Sequence, residues 1–177
     1  MEGAFEPRAR AVEAARLLSY FILDLIAGTR GLEIFEVPAI APNVTHHMAV
    51  ALNRMAVSHL VVTLAKWSEF YRRYASILPA DVRNACRELN GSIEARGVID
   101  FRNAVVGHIL DDATKRPLTS QEVDERLRRI MTGERSEFFR WINDLSDKVK
   151  PTSVVALTEH VRDRLRAEYA LRDEEIL

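Results

Sequence analysis

Three residues within one apolar helical run carry most of the chemistry this sequence offers. In "IDFRNAVVGHILDD", Ile99 to Asp112, Arg102, Asn103 and His108 stand among Ile, Phe, Val, Ala and Leu. Buried helices rarely hold an arginine, an amide and an imidazole so close together unless each has a partner. Arginine stays cationic, and its planar fork matches a phosphate. Histidine titrates near neutral pH and can give or take a proton. Asparagine can donate to an oxyanion or orient a neighbour. Such a set can stabilise a pentavalent phosphorane and move protons without a metal. In RNA the 2′-hydroxyl is the built-in nucleophile, so on such a substrate the chemistry would be transesterification to a 2′,3′-cyclic phosphate and a 5′-hydroxyl end.

The spacing sets a condition. Arg102 and His108 are six residues apart, which on an ideal helix is about 9 Å of rise and a rotation of roughly 240° after one full turn. They do not share a face. Either the helix distorts near Gly107, or a second copy completes the site across an isologous interface, with two arginines and two histidines in one cleft. Gly107 removes a side chain where a phosphate or a partner helix would approach. A structural role competes with this. Arg102 would pair with Asp100, Glu94 or Asp111, while Asn103 and His108 would satisfy buried backbone groups. Glu94 and Asp100 are the nearest acids that can orient the trio.

The elements around these residues read as helices. With 7 glycines and 6 prolines in 177 residues, tight turns are few, which argues against a many-stranded sandwich. "PRARAVEAARLLSYFILDLIAG" places Val12, Ala15, Phe21, Ile22, Leu25 and Ile26 at helical spacing, with Gly28 and Gly31 as its end. After a connector with Pro38 and Pro42, Asn43 or Thr45 can cap a second helix. No Gly or Pro occurs from Val44 to Leu78, and Val44, Met48, Ala51, Met55, Leu60, Leu64, Trp67, Tyr71 and Tyr74 mark one buried stripe. A third helical region runs from about Val82 to Leu110, with Asp81 as a candidate cap and Gly91 and Gly97 as points of bending or splitting. "TSQE", Thr119 to Glu122, matches a capping box and opens a fourth helix. "SEFFRWINDL" reads as a fifth, and Pro151 with Thr152 or Ser153 starts a last one to about Arg172. The expectation is a single all-α domain over residues 1–177, an up-and-down bundle of five or six helices.

Arg102-Asn103, four residues, then His108 resembles the R-x(4–6)-H signature of the HEPN superfamily, with Asn103 matching the polar residue that commonly follows the arginine. "DDATKRPLTSQEV", Asp111 to Val123, resembles the loop and helix start after the motif in the AbiU2-like branch. The resemblance is specific over Ile99 to Val123 and architectural elsewhere. It implies a helical bundle that dimerises through its motif-bearing helices. It also implies a metal-independent endoribonuclease of a toxin–antitoxin, abortive-infection or CRISPR system, sometimes paired with an antitoxin; other members have lost activity and serve as binding modules. By position, Arg102 and His108 would be catalytic and Asn103 supporting.

The remaining chain narrows the choice. Net charge is −1, from 25 basic and 26 acidic residues, which is not the signature of a protein that coats nucleic acid. Cys86 is the one cysteine, so no internal disulfide forms and a reducing cytosol is the natural compartment. "MEGAFEPRAR" lacks the order of a signal peptide, and the run Leu17 to Ala27 is too short to span a bilayer, so no membrane segment is expected. There is no Gly-rich phosphate loop, paired-cysteine zinc pattern, His-Glu-x-x-His or Gly-x-Ser-x-Gly elbow, so no cofactor and no metal are expected. Adjacent His46 and His47 point about 100° apart and chelate poorly. His59 reads as a hydrogen-bonded core histidine, His160 as solvated and Cys86 as a packing thiol. "WSEFYRRY", Trp67 to Tyr74, fits core packing with Arg72 and Arg73 on the rim better than base stacking. Glu125 and Arg129 have the i,i+4 spacing of a solvated ion pair, which is the expectation for this charged face. The expected function is a dimeric cytoplasmic endoribonuclease acting on RNA, with a possible antitoxin partner. The alternative is a non-catalytic helical module that binds a nucleotide or a protein.

Overall fold

The computed structural model describes residues 5–36, 45–107, 115–144 and 151–176. Their regular structure is helical: α1 (Phe5–Glu36), α2 (His46–Tyr74), α3 (Ala80–Ala95), α4 (Val98–Phe101), α5 (Ser120–Met131), α6 (Arg135–Ile142), α7 (Val154–Glu168) and α8 (Asp173–Ile176). A 3-10 turn, Ala75–Ile77, follows α2, and a π-helical turn, Arg102–Gly107, follows α4. The fold is an all-α bundle. Among the described residues six helices reach eight residues or more, and α4 and α8 are single turns.

Two long antiparallel helices form the spine. Glu13 of α1 meets Arg73 near the end of α2, and further along α1 Asp24 meets His59. Their shared face buries Ala11, Leu18, Phe21 and Leu25 against Leu60, Leu64, Trp67 and Phe70. Large side chains removed from water in this way contribute about 1.5–3 kcal/mol each. α7 covers the other side of α1 with Val154, Leu157, Val161 and Leu165. Two buried polar pairs join helices across the core: Trp67 Nε1 donates to Thr158 Oγ1 at 3.1 Å, and Ser68 Oγ donates to Asn90 Oδ1 at 2.7 Å. Arg8 Nη2 donates to both oxygens of Glu175, at 3.0 and 2.9 Å, and ties α8 to α1.

The helix ends follow local chemistry with some corrections. Thr45 and Ser153 cap α2 and α7, accepting from Met48 N and Ala156 N at 3.3 Å. Thr119 and Glu122 form the expected capping box. Asn43 lies outside the described residues. Asp81 is not a cap: it sits in the first turn of α3, after Pro79, and accepts from Arg164 Nε at 2.7 Å. α1 does not end at Gly28 or Gly31. It runs through both, because Gly28 is where α2 approaches: a Cβ there would lie 2.5 Å from Leu60 Cδ2. The third helical region breaks at Gly97, whose φ of 72° takes the chain out of α-helical geometry, while Gly91 lies within α3.

The buried stripe of α2 is shorter than its periodicity predicts. Met48, Ala51 and Met55 are exposed, and full burial begins at Leu60. No described element covers the outer face of the first half of α2, so those apolar positions have nothing to pack against. The run Leu17 to Ala27 is too short to span a bilayer, but His47–Ile77 is long and apolar enough to cross a membrane by length and composition. Its second half lies in the core of the bundle, with Leu60, Leu64, Ala65 and Trp67 at 0% exposure.

Candidate functional site

Val98 and Phe101, both buried, plug α4 into the core. The chain then leaves α-geometry at the arginine, and Arg102–Gly107 winds as a π-helix. The i→i+5 bonding of such a turn widens the helix, and π-turns are rare and frequent at functional sites. The segment Arg102–Gly107 is therefore not an ideal α-helix, and the ideal-helix angle does not apply across it. His108 and Asp111 themselves lie outside the described residues.

Arg102 is held from two sides. Its Nε donates to Asn103 Oδ1 at 3.1 Å, and its Nη1 donates to Glu69 Oε1 of α2. The Arg102 side chain keeps 30% of its surface in water and Glu69 keeps 54%. Asn103 is exposed, and its amide oxygen fixes the plane of the guanidinium. Glu94 and Asp100, the acids nearest in sequence, do not serve Arg102. Arg72 Nη2 donates to Glu94 Oε1 at 2.8 Å, and Arg72 beside it holds the Glu94 carboxyl below its ordinary range. Asp100 is exposed. The acid that meets Arg102 comes from α2, 33 residues back in sequence, where only packing could reveal it.

Glu69 also borders a groove of about 640 Å³ between α1 and α2, with Glu13, Asp24, Lys66 and Arg73 along its edges. Tyr74 lines it, and its hydroxyl is buried without a hydrogen bond. Burial pushes the Tyr74 phenol above its ordinary pKa. Trp67, Phe70 and Tyr74 are core residues and Arg72 and Arg73 are exposed, which is the packing reading of that aromatic cluster.

The other titratable candidates have structural surroundings. His59 is not a core residue: it is exposed, with Nε2 3.5 Å from Asp24 Oδ1, because α2 turns that position toward the surface beside α1. His47 and His160 are exposed. Burial pushes the Cys86 thiol up to about 12. Glu125 accepts from Gln121 at 3.0 Å rather than from Arg129, whose guanidinium lies over Gly97. Among the described residues no group of three His, Cys, Asp or Glu side chains is arranged to hold a metal.

No family model matches the chain, and no curated protein matches it. Among solved structures it is similar to the integron cassette protein Vpc_cass2 from the mobile metagenome of V. paracholerae. The two are 26% identical with a TM-score of 0.72, over 89% of this chain and 96% of that one. This likeness bears on the fold.

Proposed function

We propose that this chain is a HEPN-like, metal-independent endoribonuclease of a toxin–antitoxin or phage-defence system, acting as a homodimer in the cytoplasm. Arg102 binds and stabilises the scissile phosphate. Asn103 orients that guanidinium. His108 moves the protons: a base takes the 2′-hydroxyl proton as the 2′-oxygen attacks phosphorus, and an acid protonates the departing 5′-oxygen. Two copies of His108, one from each protomer, would supply both roles at a two-fold interface. The observation that carries the reading is Arg102 itself: a partly exposed guanidinium, oriented at Nε by Asn103, at the start of a π-turn that leads to His108.

A second reading is a non-catalytic module that holds a nucleotide or a partner protein. The contact of Glu69 with Arg102 favours its protein-binding form, because the cation is already paired with a carboxylate. One experiment separates the two. Purified protein and its His108→Ala variant are incubated with mixed RNA in EDTA, and the new ends are mapped. Cleavage by the wild type alone, to cyclic phosphate and 5′-hydroxyl ends, is the expected result. No cleavage across several RNAs by a protein of confirmed dimeric mass would favour the binding module.

A further inference from the structure

We infer that Glu69 is a gate on Arg102, a carboxylate that occupies the guanidinium in the resting protein and must yield it to an incoming phosphate group. This deepens, and rests on, the reading of Arg102 as a phosphate ligand. An arginine carries five N–H donors in a rigid fork. Here Nε is engaged by Asn103 and Nη1 by Glu69, so the face that remains is the Nη2 edge. An anion arriving there meets the Glu69 charge alongside it. Like charges about 4 Å apart in a nearly aqueous dielectric lower affinity about fivefold.

Two further features fit a contact that opens. Glu69 stands at the surface, with 54% of its side chain exposed, and the anchoring of α4 comes from Val98 and Phe101. An exposed ion pair of this kind holds little of a fold together. Glu69 also has other cations within reach on its own helix face, Lys66 three residues before it and Arg73 four residues after it. Arg73 lies over the Tyr74 ring, 5.5 Å from its centroid, and meets Glu13 at 3.5 Å, so its guanidinium keeps donors for a second carboxylate. The carboxylate can therefore swing along α2 without being left unpaired, while Asn103 keeps the guanidinium plane fixed for the phosphate.

The test titrates inorganic phosphate into ¹⁵N-labelled protein and follows the Arg102 Nε–H and Asn103 amide signals. Glu69→Gln keeps an acceptor oxygen and removes the charge. The expected result is about fivefold tighter phosphate binding in Glu69→Gln, with the gain abolished when Arg102→Ala is added. Unchanged or weaker binding in Glu69→Gln, or no response at these signals in either protein, overturns the gate. A purely structural contact would instead lower the melting temperature and leave phosphate affinity alone. A short single-stranded RNA titrated into the same variants separates this claim from the one it rests on. If Arg102→Ala leaves RNA binding unchanged while the phosphate result holds, the gate stands and the ribonuclease reading fails.

Discussion

In the proposed ribonuclease, Arg102 would serve a phosphate because its guanidinium is planar and held, not merely because it is positive. Asn103 takes Nε, and that contact needs a donor in the plane of the fork. A lysine has a single ammonium point and cannot meet Asn103, Glu69 and a phosphate in one plane. Arg102→Lys should therefore lower RNA cleavage by about a hundredfold, the usual consequence of losing one oriented donor to a developing charge. Its melting curve should stay close to the wild type, since the side chain is partly exposed. Retention of full cleavage by the lysine variant would reduce Arg102 to a general attraction for RNA.

At the scale of the helices, three glycines separate three physical situations. Gly91 lies within α3, and a Cβ there would meet no neighbour within 4 Å, so Gly91→Ala should stabilise by up to about 1 kcal/mol through helix propensity. Gly28 lies at the α1–α2 crossing, where a Cβ would be 2.5 Å from Leu60 Cδ2 and 2.7 Å from Cγ. Overpacking of about 1–3 kcal/mol should outweigh the propensity gain, so Gly28→Ala destabilises. Gly97 is held at φ 72°, and alanine there should cost about 1–2 kcal/mol of backbone strain. Urea denaturation of the three variants checks the order, with Gly91→Ala above the wild type and the other two below. Gly97 has a second consequence. It precedes α4 and Arg102, so its alanine variant should also lower the proposed RNA cleavage.

At the scale of the whole molecule, solvent-accessible carboxylates paired with arginines among the described residues each add a small contribution to the response to acid. The Arg116 guanidinium, with the backbone and hydroxyl of Thr119, holds the Glu122 carboxyl at about 2. Arg164 lowers Asp81, Arg72 lowers Glu94, and the backbone N–H of Arg172 with Arg8 lowers Glu175. Each is depressed in the folded state, so each contributes stability that is fully present above its ordinary range and lost as pH falls through the depressed value. The melting temperature should hold down to about pH 4.5 and fall between there and about pH 2. Glu122→Gln should flatten the lowest part of that fall. A melting temperature independent of pH in this window would mean that the pairs are not formed in solution.

The amino-acid pattern alone determined the all-α class, the capping box at Thr119, the core placement of Trp67 and Tyr74 and the trio worth testing, and it narrowed the other two caps to Asn43 or Thr45 and to Thr152 or Ser153. These depend on contacts within a few residues or on helical period, both of which are written along the chain. Tertiary structure decided what depends on neighbours distant in sequence. It carried α1 through Gly28 because α2 must approach there, and it left Met48 and Met55 uncovered because no described element reaches them. It gave Arg102 a partner on α2 rather than one of its sequence neighbours. A side chain's partner is the group that packing brings within about 3 Å, and helical period sets which face a residue lies on but not which other face it meets.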